Sequence, residues 1–144
     1  MDKADLAVAT FKEGFSCSQA VFSACSASLG LDRELALKIA GAFGGGMGRM
    51  GETCGAVTGA FMAIGLKYGK AQAKDDPARE KTYELVREFV KRFKARRGSI
   101  VCKELLGYDI STPEGAKIVR EQKISANLCP QLVRDAVEIL DEIL

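Results

Sequence analysis

Along most of the chain apolar residues recur every three or four positions, and no segment shows a convincing alternation. The pattern therefore predicts helices and no sheet of consequence. A first helix is expected over Asp2–Glu13, carrying Leu6, Val8 and Phe11 inward, with Gly14 as its stop. Ser16 is placed to cap a second, Cys17–Leu29, which presents Val21, Phe22, Cys25 and Leu29 and ends at Gly30. Asp32 caps a third, where Leu35, Ile39 and Phe43 share a face flanked by Leu37.

Residues 41–51 include Gly44-Gly45-Gly46 and Gly48 and cannot be regular helix throughout. A fourth helix, from about Glu52 to Tyr68, is mostly small and apolar. Its glycines at 55, 59 and 65 cost about 1 kcal/mol each relative to alanine, which is tolerable where another backbone packs closely. Such a helix belongs at the centre of a bundle. After a polar connector, Pro77 opens a long helix to Arg97 with Tyr83, Val86, Phe89, Val90 and Phe93 on its stripe. A short helix follows over Val101–Leu106, another starts at Thr112-Pro113-Glu114, and Cys129-Pro130 opens the last. The expected fold is all-α, a compact bundle of about seven or eight helices around the small-residue helix.

Composition narrows the class. A chain of 144 residues is expected to form one helical domain, residues 1–144. A net charge of +2 argues for neither nucleic acid nor a membrane surface. The stretch Ala56–Leu66 is too short to span a bilayer, the N-terminus lacks signal-peptide order, and five cysteines is an odd count. These point to a cytoplasmic protein without membrane insertion. The chain has no histidine, which removes Ser-His-Asp and Cys-His catalysis and histidine-ligated zinc.

Chemistry then falls to the thiols. Cys17, Cys54, Cys102 and Cys129 all sit where a helix is expected to begin, where unpaired N–H groups favour a thiolate. Such placement can bring a cysteine pKa from about 8.5 to between about 3.5 and 7.5. Cys25 lies inside an apolar run and reads as packing. No two cysteines are closer than eight positions, so a C-x-x-C dithiol and a zinc ribbon are both absent. Any bridge requires tertiary proximity of distant helix starts. Gly46-Met47-Gly48-Arg49-Met50-Gly51 matches the G-x-G-x-x-G nucleotide fingerprint, but no βαβ pattern surrounds it. The same glycines either form an anion-binding nest beside Cys54, with Arg49 adding charge, or make a tight connection at positive φ. Glu52 is a candidate proton shuttle for Cys54 or a helix-start carboxylate. The basic run Lys91 to Arg97 reads as a solvated face at a helix C-terminus.

The segment from Gly44 to Ala60, centred on Cys54-Gly55-Ala56-Val57-Thr58-Gly59, resembles the core of the redox-active protein family named for its C–GCAxxG–C–C pattern. The resemblance runs over essentially the full length, through Cys17 in Phe15-Ser16-Cys17-Ser18-Gln19, Cys102 in Cys102-Lys103-Glu104-Leu105-Leu106-Gly107, and the late Cys129. It implies a small helical protein with four characteristic cysteines, matching Cys17, Cys54, Cys102 and Cys129. Taken with the residues, this leads to an expected thiol/disulfide or thiol-sensing protein. Cys54 is expected to be the most reactive thiol, and Cys17, Cys102 and Cys129 its resolving partners. Arg49, Glu52, Gly48, Gly51, Gly55 and Gly59 are expected to support the site. One alternative is that the four cysteines ligate zinc or an iron–sulfur cluster. Another is a non-catalytic partner-binding helical domain. No cofactor is named by the residues. The expected partner is a redox protein or a small soft electrophile, not nucleic acid, and the extended helical faces would suit a homodimer.

Overall fold

The computed structural model describes all of residues 1–144. Eight right-handed α-helices account for the fold: α1 (Lys3–Lys12), α2 (Cys17–Ser26), α3 (Arg33–Ala40), α4 (Gly55–Tyr68), α5 (Asp76–Arg97), α6 (Cys102–Leu106), α7 (Pro113–Glu121) and α8 (Ile124–Ile143). There is no strand, only an isolated antiparallel bridge between Thr53 and Val101. The expected all-α bundle is what forms. No helix is long and apolar enough to cross a membrane.

Local chemistry explains most boundaries. Ser16 and Gln19 make a reciprocal capping box at the start of α2. Asp32 accepts from the Leu35 N–H, and Thr112 from the Gly115 N–H, at the starts of α3 and α7. Left-handed glycines at 30, 98 and 107 close the preceding helical segments.

At the centre α4 lies against α2, with Gly55, Ala56, Val57, Gly59, Ala60 and Ile64 buried. A Cβ on Gly59 would stand 2.8 Å from the Ser18 carbonyl oxygen, and one on Gly55 2.9 Å from the Ser18 nitrogen. Missing side chains let the two backbones approach, as expected of a central small-residue helix. Gly65 has no neighbour near its Cβ position and plays no such part. Phe89 and Phe93 of α5 stack at 5.8 Å and fill the space beside α4, and Val133, Val137 and Leu140 of α8 close the core. Arg92, Arg96 and Arg97 of the basic run are held by Asp135, Glu138 and Glu142 of α8. That run is a seam between two helices.

Four expectations need correction. In α3 the buried residues are Ala36, Leu37 and Ala40, while Leu35 and Ile39 are exposed, because α3 meets α2 through its small side chains. Leu6 and Tyr83 also face outward. The last helix begins at Ile124, so Cys129-Pro130 lies inside it. Its start has no capping side chain and follows Lys123 in the left-handed region, a junction without a sequence signal.

Residues 44–52 form the most unusual segment. Gly45, Gly46, Met47, Gly48 and Arg49 all have positive φ, between 60° and 67°, giving a left-handed turn. Two of these five are not glycine, although side chains cost about 1–2 kcal/mol each in this conformation.

Candidate functional site

Three of the four cysteines do stand at helix starts. Cys17 is the first residue of α2, Cys54 immediately precedes α4, and Cys102 is the first residue of α6. Cys129 does not, lying in the second turn of α8. The Thr53–Val101 bridge ties two of them together. Cys54 donates its N–H to the Ile100 carbonyl at 2.7 Å, and Cys102 donates to the Glu52 carbonyl at 2.6 Å. Cys54 and Cys102 are thus diagonal neighbours on one face of a two-rung ladder, a relationship that spans about 7–8 Å. Cys17 lies against the first turn of α4, since a Cβ on Gly55 would be 3.3 Å from its Cβ. Cys17 and Cys129 lie close enough to shift one another's ionisation, and Cys129 packs against the apolar cluster around Cys102. The charges of Cys54, Cys102 and Cys129 all bear on Cys17, so four thiols distant in sequence share one neighbourhood. Cys25 stays apart in the core, as its apolar setting suggested.

The electrostatics differ from the helix-start expectation. At Cys54 the N–H groups of Ala56 and Val57 favour the thiolate, but burial outweighs them and pushes the thiol up to about 12. Burial likewise lifts Cys102 to about 11 and Cys25 to about 12. Cys54 is only 3% exposed. Cys17 and Cys129 are half-buried residues, less enclosed than Cys25, Cys54 and Cys102. The mutual interaction of the two thiols holds Cys17 well above its ordinary value and brings Cys129 below it. The Ser125 hydroxyl, one turn earlier on α8, also favours the Cys129 thiolate. Cys129 is the thiol of the group that ionises most readily.

The remaining residues divide between structure and surface. The left-handed turn uses its own N–H groups: Arg49 donates to Gly44, Met50 to Met47, Gly51 to Gly45 and Glu52 to Gly46. These bonds close the turn on itself, the tight connection at positive φ that was the other expectation. Gly46 is required by φ and by space, since a Cβ would lie 2.7 Å from the Cys102 Cβ. Gly48 and Gly51 take positive φ, while Gly55 and Gly59 serve helix packing. Glu52 pairs with Lys103 at 3.5 Å rather than with Arg49. Arg49 is exposed and lines a cleft together with Ile110. No group of three or more cysteine, aspartate or glutamate side chains is arranged to hold a metal ion.

A cleft of about 460 Å³ shares Val119 with the apolar cluster against which Cys129 packs. Arg49, Arg120 and Lys123 line it with Ser125, and Ile110 and Val119 form part of its apolar wall. Cys129 packs against the cluster that includes Val119, without lining the cleft itself. Sequence reading missed Arg120, Lys123 and Ser125, which lie at the α7–α8 junction and meet Arg49 only in the fold.

The molecule is thus a small helical bundle with clustered thiols and a nearby cleft that carries three cations. The family model described as "Putative redox-active protein (C_GCAxxG_C_C)" matches residues 15–143, and the chain belongs to that family. No curated protein and no solved structure matches the chain.

Proposed function

We propose that this protein performs thiol–disulfide exchange, with Cys129 as the attacking thiolate and Cys17 as its resolving partner. The observation that carries the reading is the contact between these two half-buried thiols, in which Cys17 lowers the pKa of Cys129. The family's redox description agrees with it. Cys54, nominated from sequence as the most reactive thiol, is dry and keeps its proton, so the attacking role passes to Cys129. Cys54 and Cys102 act as neighbouring thiols that can receive the bridge later.

The reaction balances with a disulfide as oxidant. The Cys129 thiolate attacks one sulfur of the substrate, forming a mixed disulfide and expelling the other sulfur as a thiolate, which takes a proton. Cys17 then loses its proton and attacks the Cys129 sulfur, closing a Cys17–Cys129 disulfide and releasing the second substrate thiol. The protein gives up two electrons and two protons, and the substrate becomes two thiols. A dithiol reductant reverses the change and restores the resting state.

Alkylation of the native reduced protein near pH 7, mapped by peptide mass, tests the assignment. Cys129 is expected to react first, and Cys17→Ala to slow it by raising its pKa. Oxidation with one equivalent of a disulfide is expected to join the peptides containing Cys17 and Cys129. Alkylation of Cys129 no faster than in the unfolded chain, or a first bridge formed elsewhere, overturns the reading.

A further inference from the structure

Resting on that reading, we infer that the cleft beside Cys129 selects small disulfides bearing carboxylates. Arg49, Arg120 and Lys123 bring three cations to one concavity whose volume, about 460 Å³, suits a small ligand. None of the three takes part in an ion pair, although many of the chain's other cations do. The contrast with Arg92, Arg96 and Arg97, all held by carboxylates of α8, is direct. No acidic residue lines the cleft to neutralise it.

Two of the three cations are also held at a conformational cost. Met47, Arg49 and Lys123 are the non-glycine residues with positive φ, and two of them face this cleft. Either position would be more comfortable as glycine, so the side chains there are not explained by backbone needs. Ile110 and Val119 add apolar lining that suits a short carbon chain. Ser125 joins cleft to chemistry, lining the cavity while favouring the Cys129 thiolate. A ligand with carboxylates on the cations would lay its carbon chain on the apolar wall, bringing its sulfurs toward Cys129. Fixed cations in a concave wall also concentrate anions and raise their association rates.

Three disulfides of similar size separate the possibilities: 3,3′-dithiodipropionate as dianion, bis(2-hydroxyethyl) disulfide as neutral, and cystamine as dication. Each rate with reduced protein is divided by its rate with a small uncharged thiol, which removes intrinsic reactivity. The dianion is expected to exceed the neutral compound by about tenfold at low salt, and cystamine to fall below both. Raising the ionic strength should shrink the preference. The combined variant R49G/R120Q/K123G should abolish it, and its two glycine replacements relax the backbone, so folding is retained. Equal normalised rates, or a preference that survives in the variant, overturn the cleft assignment while leaving exchange intact. If none of the three reacts at Cys129, the exchange reading fails instead. The cleft is then decided by titrating Cys129→Ser protein with 3,3′-dithiodipropionate, followed by amide NMR. Saturable shifts at Arg120 and Lys123 support it, and their absence overturns it.

Discussion

Two glycine-rich regions of this molecule look alike in sequence and behave oppositely. Along the α2–α4 seam, Gly55 and Gly59 have ordinary helical geometry and serve only to remove Cβ atoms that would strike Ser18. In the turn just before, Gly45, Gly46 and Gly48 are left-handed, and Met47 and Arg49 are forced into the same conformation between and after them. The seam gains stability from contact, whereas the turn accepts strain and places an unpaired cation at the surface. Glycine spacing alone does not say which kind of region a sequence encodes; the residues between the glycines do.

The comparison can be broken most forcefully at the seam. Gly59→Leu should lower unfolding stability by about 3 kcal/mol in urea titration, because the backbones of α2 and α4 must separate. A loss below about 1 kcal/mol would mean the close approach is not needed. At the turn, Gly46→Ala combines a strained φ with a Cβ 2.7 Å from the Glu52 nitrogen, and about 2 kcal/mol should be lost. The third prediction concerns the dry thiols. Cys25 and Cys54 are held up to about 12 by burial, so the native state keeps protons that the unfolded chain releases near pH 8.5. Their stabilising contribution is complete below about pH 8.5 and declines as pH rises toward 12, by up to about 1.4 kcal/mol per pH unit for each thiol. Urea midpoints between about pH 8 and pH 10 should fall less steeply in Cys25→Ala and Cys54→Ala than in the parent. An unchanged slope contradicts the burial argument.

The smallest effect has the opposite sign. Arg49→Gly and Lys123→Gly should each raise stability by roughly 0.5–1 kcal/mol, the relief of strain being partly offset by greater freedom of the unfolded chain. They should do so while weakening the preference for anionic disulfides. Stabilisation without that loss would make the cations incidental.

Much of the fold was legible because its boundaries are chemical. Ser16, Asp32, Pro77 and Thr112 mark helix starts that any reader of capping rules would find. Proline after Cys129 misled, since proline suits a first turn and the true start at Lys123–Ile124 carries no cap. In α3, periodicity identified a helix but chose the wrong face, because Ala36 and Ala40 bury more closely than Leu35 and Ile39 can. The cysteine group was visible from helix starts and family pattern. Burial was not visible there, being a tertiary quantity that opposes the helix-start effect at Cys54. Arg120 and Lys123 carried no local signal at all.

Pro130 sits inside α8 directly after Cys129 and offers no N–H to the carbonyl four residues earlier. One rung of the ladder is therefore missing beside the thiol proposed to exchange. A rod lacking a rung flexes more readily there than elsewhere, and prolines are where helices kink. The sulfur at 129 can thus travel toward its neighbour by local bending, leaving Val133, Val137 and Leu140 seated in the interior.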